Sequence, residues 1–124
     1  IVKAKLNPGG IMVTQSGAAG LLNYQECFTT IFNTLKGIFQ HTTPAQVHVP
    51  AFQTLWSFTL ASDSPLSFSE EGQIDVRLAE RVAKPLKFYD GESHRSMFAL
   101  PKFMRQGIQE EKRVNRDASP VFML

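Results

Sequence analysis

Apolar residues fall in short blocks along this chain, and the spacing inside each block sets the element it predicts. Ile11-Met12-Val13-Thr14 is continuous rather than alternating, which predicts an inner strand buried on both faces. The turn Asn7-Pro8-Gly9-Gly10 precedes it. Pro8 fixes φ and the glycines admit positive φ, so the helix-like opening over residues 1–6 has to stop there. Ser16-Gly17-Ala18-Ala19-Gly20 reads as a small-residue loop. The period then changes: Cys27, Phe28, Ile31, Phe32, Leu35, Ile38 and Phe39 share one helical stripe. Asn23 with Glu26 three residues later predicts a capping box at the start of that helix, with Leu22 stapled against Cys27.

Two strands follow, over residues 42–49 and 54–62. Pro44 is tolerated near the start of the first, and Pro50 ends it. In the second, Trp56, Phe58 and Leu60 alternate with Leu55, Ser57, Thr59 and Ala61, which predicts that the Trp56 row is the strongly apolar, inward face. The link between these strands is short, so they should be antiparallel neighbours. After the Asp63-Ser64-Pro65 turn, Ser69 is the expected cap of a helix with Glu70 and Glu71 in its first turn and Ile74, Leu78 and Val82 inside. Pro85 closes it. A short helix is expected over residues 93–99, and Pro101 should open a last helix that carries Phe103, Met104 and Ile108.

The predicted order is helix end, strand, helix, strand, strand, C-terminal helices. It matches the C-terminal half of a class I methyltransferase-type Rossmann-like domain: an α/β fold whose mixed sheet ends in an antiparallel strand pair, with C-terminal helices added. The 124 residues suffice for one domain, expected over 1–111, with 112–124 as a disordered tail. The net charge of +2 comes from that tail, at Lys112, Arg113 and Arg116. It has no clustering with stacking aromatics, so no nucleic-acid partner is expected. No apolar run approaches the roughly 20 residues of a membrane helix, so no membrane partner is expected either. Cys27 is the single cysteine; it fits a reducing, cytoplasmic setting and reads as a packed thiol. His41, His48 and His94 have no second ligand at metal spacing, so no metal site is expected.

Three stretches carry a family resemblance. Asn7-Pro8-Gly9-Gly10-Ile11-Met12-Val13-Thr14-Gln15-Ser16-Gly17 is similar to a Pro-Gly-Gly-Ile-x-Val-Thr-Gln-x-Gly pattern of polyamine synthases. His48-Val49-Pro50-Ala51-Phe52, running into Leu55-Trp56-Ser57-Phe58 and Leu60-Ala61-Ser62-Asp63, resembles their last two strands. Leu86-Lys87-Phe88-Tyr89-Asp90-Gly91-Glu92 and Met97-Phe98-Ala99-Leu100-Pro101-Lys102-Phe103 resemble their C-terminal tail. The collinear set resembles the thermospermine synthase/spermidine synthase family of polyamine aminopropyltransferases. The Trp56 strand with Leu60-Ala61-Ser62-Asp63-Ser64-Pro65-Leu66 looks more like a thermospermine synthase than an ordinary spermidine synthase.

The resemblance implies a transferase that moves an aminopropyl group from decarboxylated S-adenosylmethionine, a co-substrate, to a polyamine, and a full-length enzyme that is a homo-oligomer. In the family the donor-binding Gly-rich loop, the ribose-binding acid and the catalytic Asp precede the matched stretch. The catalytic Asp is therefore expected upstream of Ile1, and the chain alone is expected to be inactive. Gln15 at a strand end, Phe52 and Trp56 are the candidate substrate-binding residues. Gln15 is suited to hold an amine or a neighbouring carboxylate, and Trp56 reads as core before it reads as site. Phe52 stands where the family usually has an acceptor-contacting Tyr; it keeps the π face and lacks the hydroxyl. Ser57 stands where relatives often have Gly. A methyltransferase of the same fold and a non-catalytic polyamine-synthase-like subunit are the alternatives.

Overall fold

A computed structural model describes residues 1–66 and 70–122. Three strands form one sheet: β1 (Met12–Ala18), β2 (His41–Val49) and β3 (Thr54–Ser62), in the order β1-β3-β2. Both β1 and β2 run antiparallel to β3. They are therefore parallel to each other, and helix α1 (Phe28–Lys36) is the crossover that joins them, with β3 inserted between. A parallel β-α-β unit completed by an antiparallel strand is the mixed α/β arrangement the element order predicted. Helices α2 (Glu71–Arg81), α3 (Gly91–Phe98) and α4 (Lys102–Glu110) follow.

α1 is the hub of the core. Phe28 and Phe32 pack with Ala19, Leu100 and Met104, so the first half of α1 is clamped by α4. Leu35 packs with Phe39 and Ala61, and Ile31, Leu6 and Met12 close around them. The alternation of β3 is inverted relative to expectation. Ser57, Thr59 and Ala61 are the buried row, whereas Trp56, Phe58 and Leu60 on the other face are half-buried. Small residues let α1 approach the sheet closely, and their hydroxyls have partners. Ser16 and Thr59 share a 2.8 Å hydrogen bond, Ser57 Oγ donates to the Gly17 carbonyl at 2.7 Å, and Ser62 Oγ donates to the Gly10 carbonyl at 2.9 Å. A buried hydroxyl that is satisfied loses little, so hydropathy alone misassigns this face.

Several boundaries move for identifiable reasons. Ser16, Gly17 and Ala18 lie in β1 rather than in a loop. The register shifts between Gln15 and Gly17, a bulge that Gly17 permits with φ +95°. Among the described residues β1 pairs with β3 alone, and Val13 is 62% exposed. α1 starts at Phe28, one turn later than Asn23 implies. The Asn23 and Tyr24 amides both donate to the Gly20 carbonyl, which folds residues 20–24 into a turn. Leu22 is 98% exposed and so staples nothing. The opening over residues 1–6 is a single 3₁₀ turn at Lys3–Lys5. α3 starts at Gly91 because Asp90 and Ser93 form a reciprocal capping box. The expected Ser69 cap of α2 lies outside the described residues.

The sequence reads 112–124 as a tail; in its first part, Arg113 and Asn115 bond to α1. The Arg113 carbonyl accepts from Asn33 Nδ2 at 2.8 Å, and the Asn115 amide donates to Thr34 Oγ1 at 2.8 Å. Glu111 starts this segment. Its carboxylate accepts from Thr29 Oγ1 at 2.6 Å and Thr30 Oγ1 at 3.1 Å, in the first turn of α1, and pairs with the Arg113 guanidinium at 2.6 Å.

Candidate functional site

The β2–β3 link shapes the most distinctive surface. Pro50–Phe52 form one 3₁₀ turn, with Pro50 supplying a preset φ at its start. Gln53 then adopts φ 52° and ψ 28°, and its amide donates back to the Pro50 carbonyl at 3.1 Å. A left-handed residue with a Cβ costs about 1 kcal/mol, and here it reverses the chain at once into β3. The reversal sets Phe52 against Trp56, with ring centroids 4.6 Å apart at 49°. Phe52 remains 48% exposed.

On the sheet, Ala18 pairs with Trp56 and Gln15 with Phe58, so Gln15 and Trp56 are diagonal neighbours on one face. Long side chains bridge that diagonal. Trp56 Nε1 donates to Gln15 Oε1 at 3.0 Å. The bulge immediately after Gln15 bends the strand at this point, as bulges beside functional sites do. Gly17 is needed for its positive φ and for space, because a Cβ there would lie 3.1 Å from Cys27 Cβ.

The structure thus brings all three sequence-derived candidates together, in the chain Phe52–Trp56–Gln15. Two aromatic faces offer π surface to a cation and apolar surface to methylenes. The amide adds one directed polar group. Several carboxylates elsewhere are engaged in the fold. Asp63 is held below the ordinary carboxylate range chiefly by the hydrogen bond from Lys3. Asp90 is lowered by its bond from Ser93. Burial pushes the Glu111 carboxyl up, but hydrogen bonds from Arg113, Thr29 and Thr30 outweigh it and bring the pKa to about 2. Cys27 is buried, and burial first, then Glu26, pushes its thiol up, away from nucleophilic use. Among the described residues, no group of three His, Cys, Asp or Glu is placed to hold a metal ion, and no helix is long and apolar enough to cross a membrane.

Two features escaped the sequence. The Gln15–Trp56 bond needs the register of two strands 41 residues apart. The Glu111 clasp had a weak signal: Thr29 and Thr30 open a helix whose N-cap side chain makes no capping bond.

The polyamine aminopropyltransferase of Sulfolobus acidocaldarius is 38% identical over 122 residues, which is 97% of this chain and 39% of that protein. The chain is a homologue of the polyamine aminopropyltransferases. Thermospermine synthase ACAULIS5 of Arabidopsis thaliana is 35% identical over 123 residues, covering 99% of this chain and 36% of its own length. The chain therefore spans about two-fifths of the length of these aminopropyltransferases. No protein-family model matches it. In three dimensions it is similar to spermidine synthase from Thermotoga maritima, with a TM-score of 0.63 at 20% identity over 82% of this chain and 35% of that one. A spermidine synthase in complex with the transition-state analogue AdoDATO gives 0.65 at 20% identity, over 82% of this chain and 34% of its own. These likenesses bear out the methyltransferase-like fold expected from the element order.

Proposed function

We propose that this chain supplies acceptor-binding surface to a polyamine aminopropyltransferase that uses decarboxylated S-adenosylmethionine, with spermidine as acceptor and thermospermine as product. The reaction joins an amine nitrogen to the methylene beside a sulfonium. The carbon–sulfur bond breaks, its electron pair goes to sulfur to leave methylthioadenosine, and the amine gives its proton to a base. An amine with a pKa near ~10 is no nucleophile until that proton leaves. Holding both reactants in line supplies much of the rate. In this reading Phe52 and Trp56 wall the acceptor. Their faces meet its ammonium groups at about 0.5–2 kcal/mol each and their edges meet its methylenes. In this reading the rest of the enzyme, of which the chain matches about two-fifths, supplies the donor site and the catalytic Asp. A homo-oligomeric enzyme in the cytoplasm belongs to the same proposal.

The contiguity of Phe52, Trp56 and Gln15 carries it. Trp56 is the only tryptophan of the chain, so indole fluorescence reports this one place. Spermidine should change that emission saturably, and Phe52→Ala should weaken the response. A spermidine titration that leaves the emission unchanged, or a response unaltered by Phe52→Ala, argues against an acceptor site here.

A further inference from the structure

A glutamine amide has an accepting end and a donating end, and which end meets a ligand decides what the ligand is. The Trp56 contact settles the orientation of Gln15. An indole Nε1–H can only donate, so the Gln15 atom 3.0 Å from it is the carbonyl oxygen. A flipped amide would set two donors against each other. The oxygen keeps one further lone pair, whereas the NH₂ group has both hydrogens unused: among the described residues no acceptor takes them.

We infer that Trp56 is a positioning residue, which holds the Gln15 amide with its NH₂ end toward the ligand, so that Gln15 binds a carboxylate through that end. A protonated amine carries three donors and no lone pair, so it offers an amide NH₂ nothing to bond. A carboxylate accepts there through two oxygens. The inference rests on the polyamine reading above, because a site for a polycation needs carboxylates to hold it. Gln15 then orients one of those carboxylates, while Phe52 meets the cation directly. The division of labour separates two roles that an exposed Gln beside two rings leaves open.

The test is aminopropyl transfer from decarboxylated S-adenosylmethionine to spermidine by the full-length protein, comparing wild type with Trp56→Phe, Gln15→Ala and Gln15→Glu. Trp56→Phe keeps a ring beside Phe52 and removes only the donor. It should raise the acceptor KM about tenfold, as the loss of a bond that orients a charged partner does, with donor KM unchanged. Gln15→Ala should do the same. Gln15→Glu should raise the acceptor KM further, because two carboxylates would then face each other. A lower acceptor KM in Gln15→Glu overturns the inference, since that is the result of direct ammonium contact. So does an unchanged KM in Trp56→Phe at a wild-type melting temperature. Nitrogen-15 NMR gives a readout that needs no activity. The single indole N–H peak of Trp56 should move in Gln15→Ala, and a peak that stays in place refutes the bond. If the wild-type protein transfers no aminopropyl group, the polyamine reading falls and the carboxylate ligand with it, and the indole peak still decides the orientation.

Discussion

Removing the charge of Glu111 should destabilise the fold in a pH-dependent way. Its side chain is only 6% exposed and faces the first turn of α1. It accepts from Thr29, Thr30 and the Arg113 guanidinium, and from the backbone amides of Lys112 and Arg113 at 2.9 and 2.7 Å. A carboxylate in that place also meets the positive end of the helix dipole. The folded pKa of about 2 lies below the ordinary value of 4.5. That lowering corresponds to at most ~3.4 kcal/mol. The Arg113 side chain is 51% exposed, however, and water screens that pairing, so about 1–2 kcal/mol is the working expectation. The sign follows from the direction of the shift. The group is depressed in the folded state, so its contribution is present in full above pH 4.5 and disappears as pH falls through 2. Urea unfolding of wild type and Glu111→Gln at pH 7 and at pH 2 measures it. The gap should be about 1–2 kcal/mol at neutral pH and close as the wild-type carboxyl protonates. Asp63 and Asp90 are lowered too, but they are present in both proteins and cancel in the difference. No gap at pH 7, or one that stays constant to pH 2, would refute the clasp.

Gly17→Ala should lower stability by more than the ~1 kcal/mol of an ordinary left-handed alanine, because the new methyl also meets Cys27 Cβ at 3.1 Å; a melting temperature equal to wild type would count against the bulge. Gly107→Ala should cost about 1–3 kcal/mol through overpacking, since a Cβ on α4 would run into the Tyr24 ring, and Tyr24→Ala in the same background should restore part of the loss. Phe52→Ala, at a half-exposed position, should raise the acceptor KM of the full-length enzyme, spare donor affinity and barely move the melting temperature. Phe52→Tyr should be tolerated. A fall in melting temperature with unchanged acceptor kinetics would make Phe52 a core residue.

The signals local to a few residues were legible in advance. β3 was placed over Thr54–Ser62 by its turns alone, because Asp63-Ser64-Pro65 and Pro50 punctuate the chain whatever surrounds them. The stripe from Phe28 to Leu35 marked α1, because a 3.6-residue period survives any packing partner. Family membership was legible for a similar reason: it rests on the order of short motifs, not on their contacts. The start of α1 was not legible. Asn23 and Glu26 carry the spacing of a capping box, yet the Gly20 carbonyl takes the Asn23 and Tyr24 amides first.

The inward face of β3 shows most plainly where the sequence stops. Alternation states that Trp56, Phe58 and Leu60 share one face and Ser57, Thr59 and Ala61 the other. Which face α1 covers depends on Ser16 and Gly17, which satisfy the hydroxyls of the smaller row from 40 or more residues away. The candidate site divides the same way. Gln15, Phe52 and Trp56 could be named as residue types at strand ends and turns. Their meeting required the register of β1 on β3 and the left-handed turn at Gln53. Local pattern determined what each segment of this chain would be. Only the tertiary structure decided which side chains touch, because hydrogen-bond partners distant in sequence, and the room a helix needs against a sheet, exist only once the chain has folded.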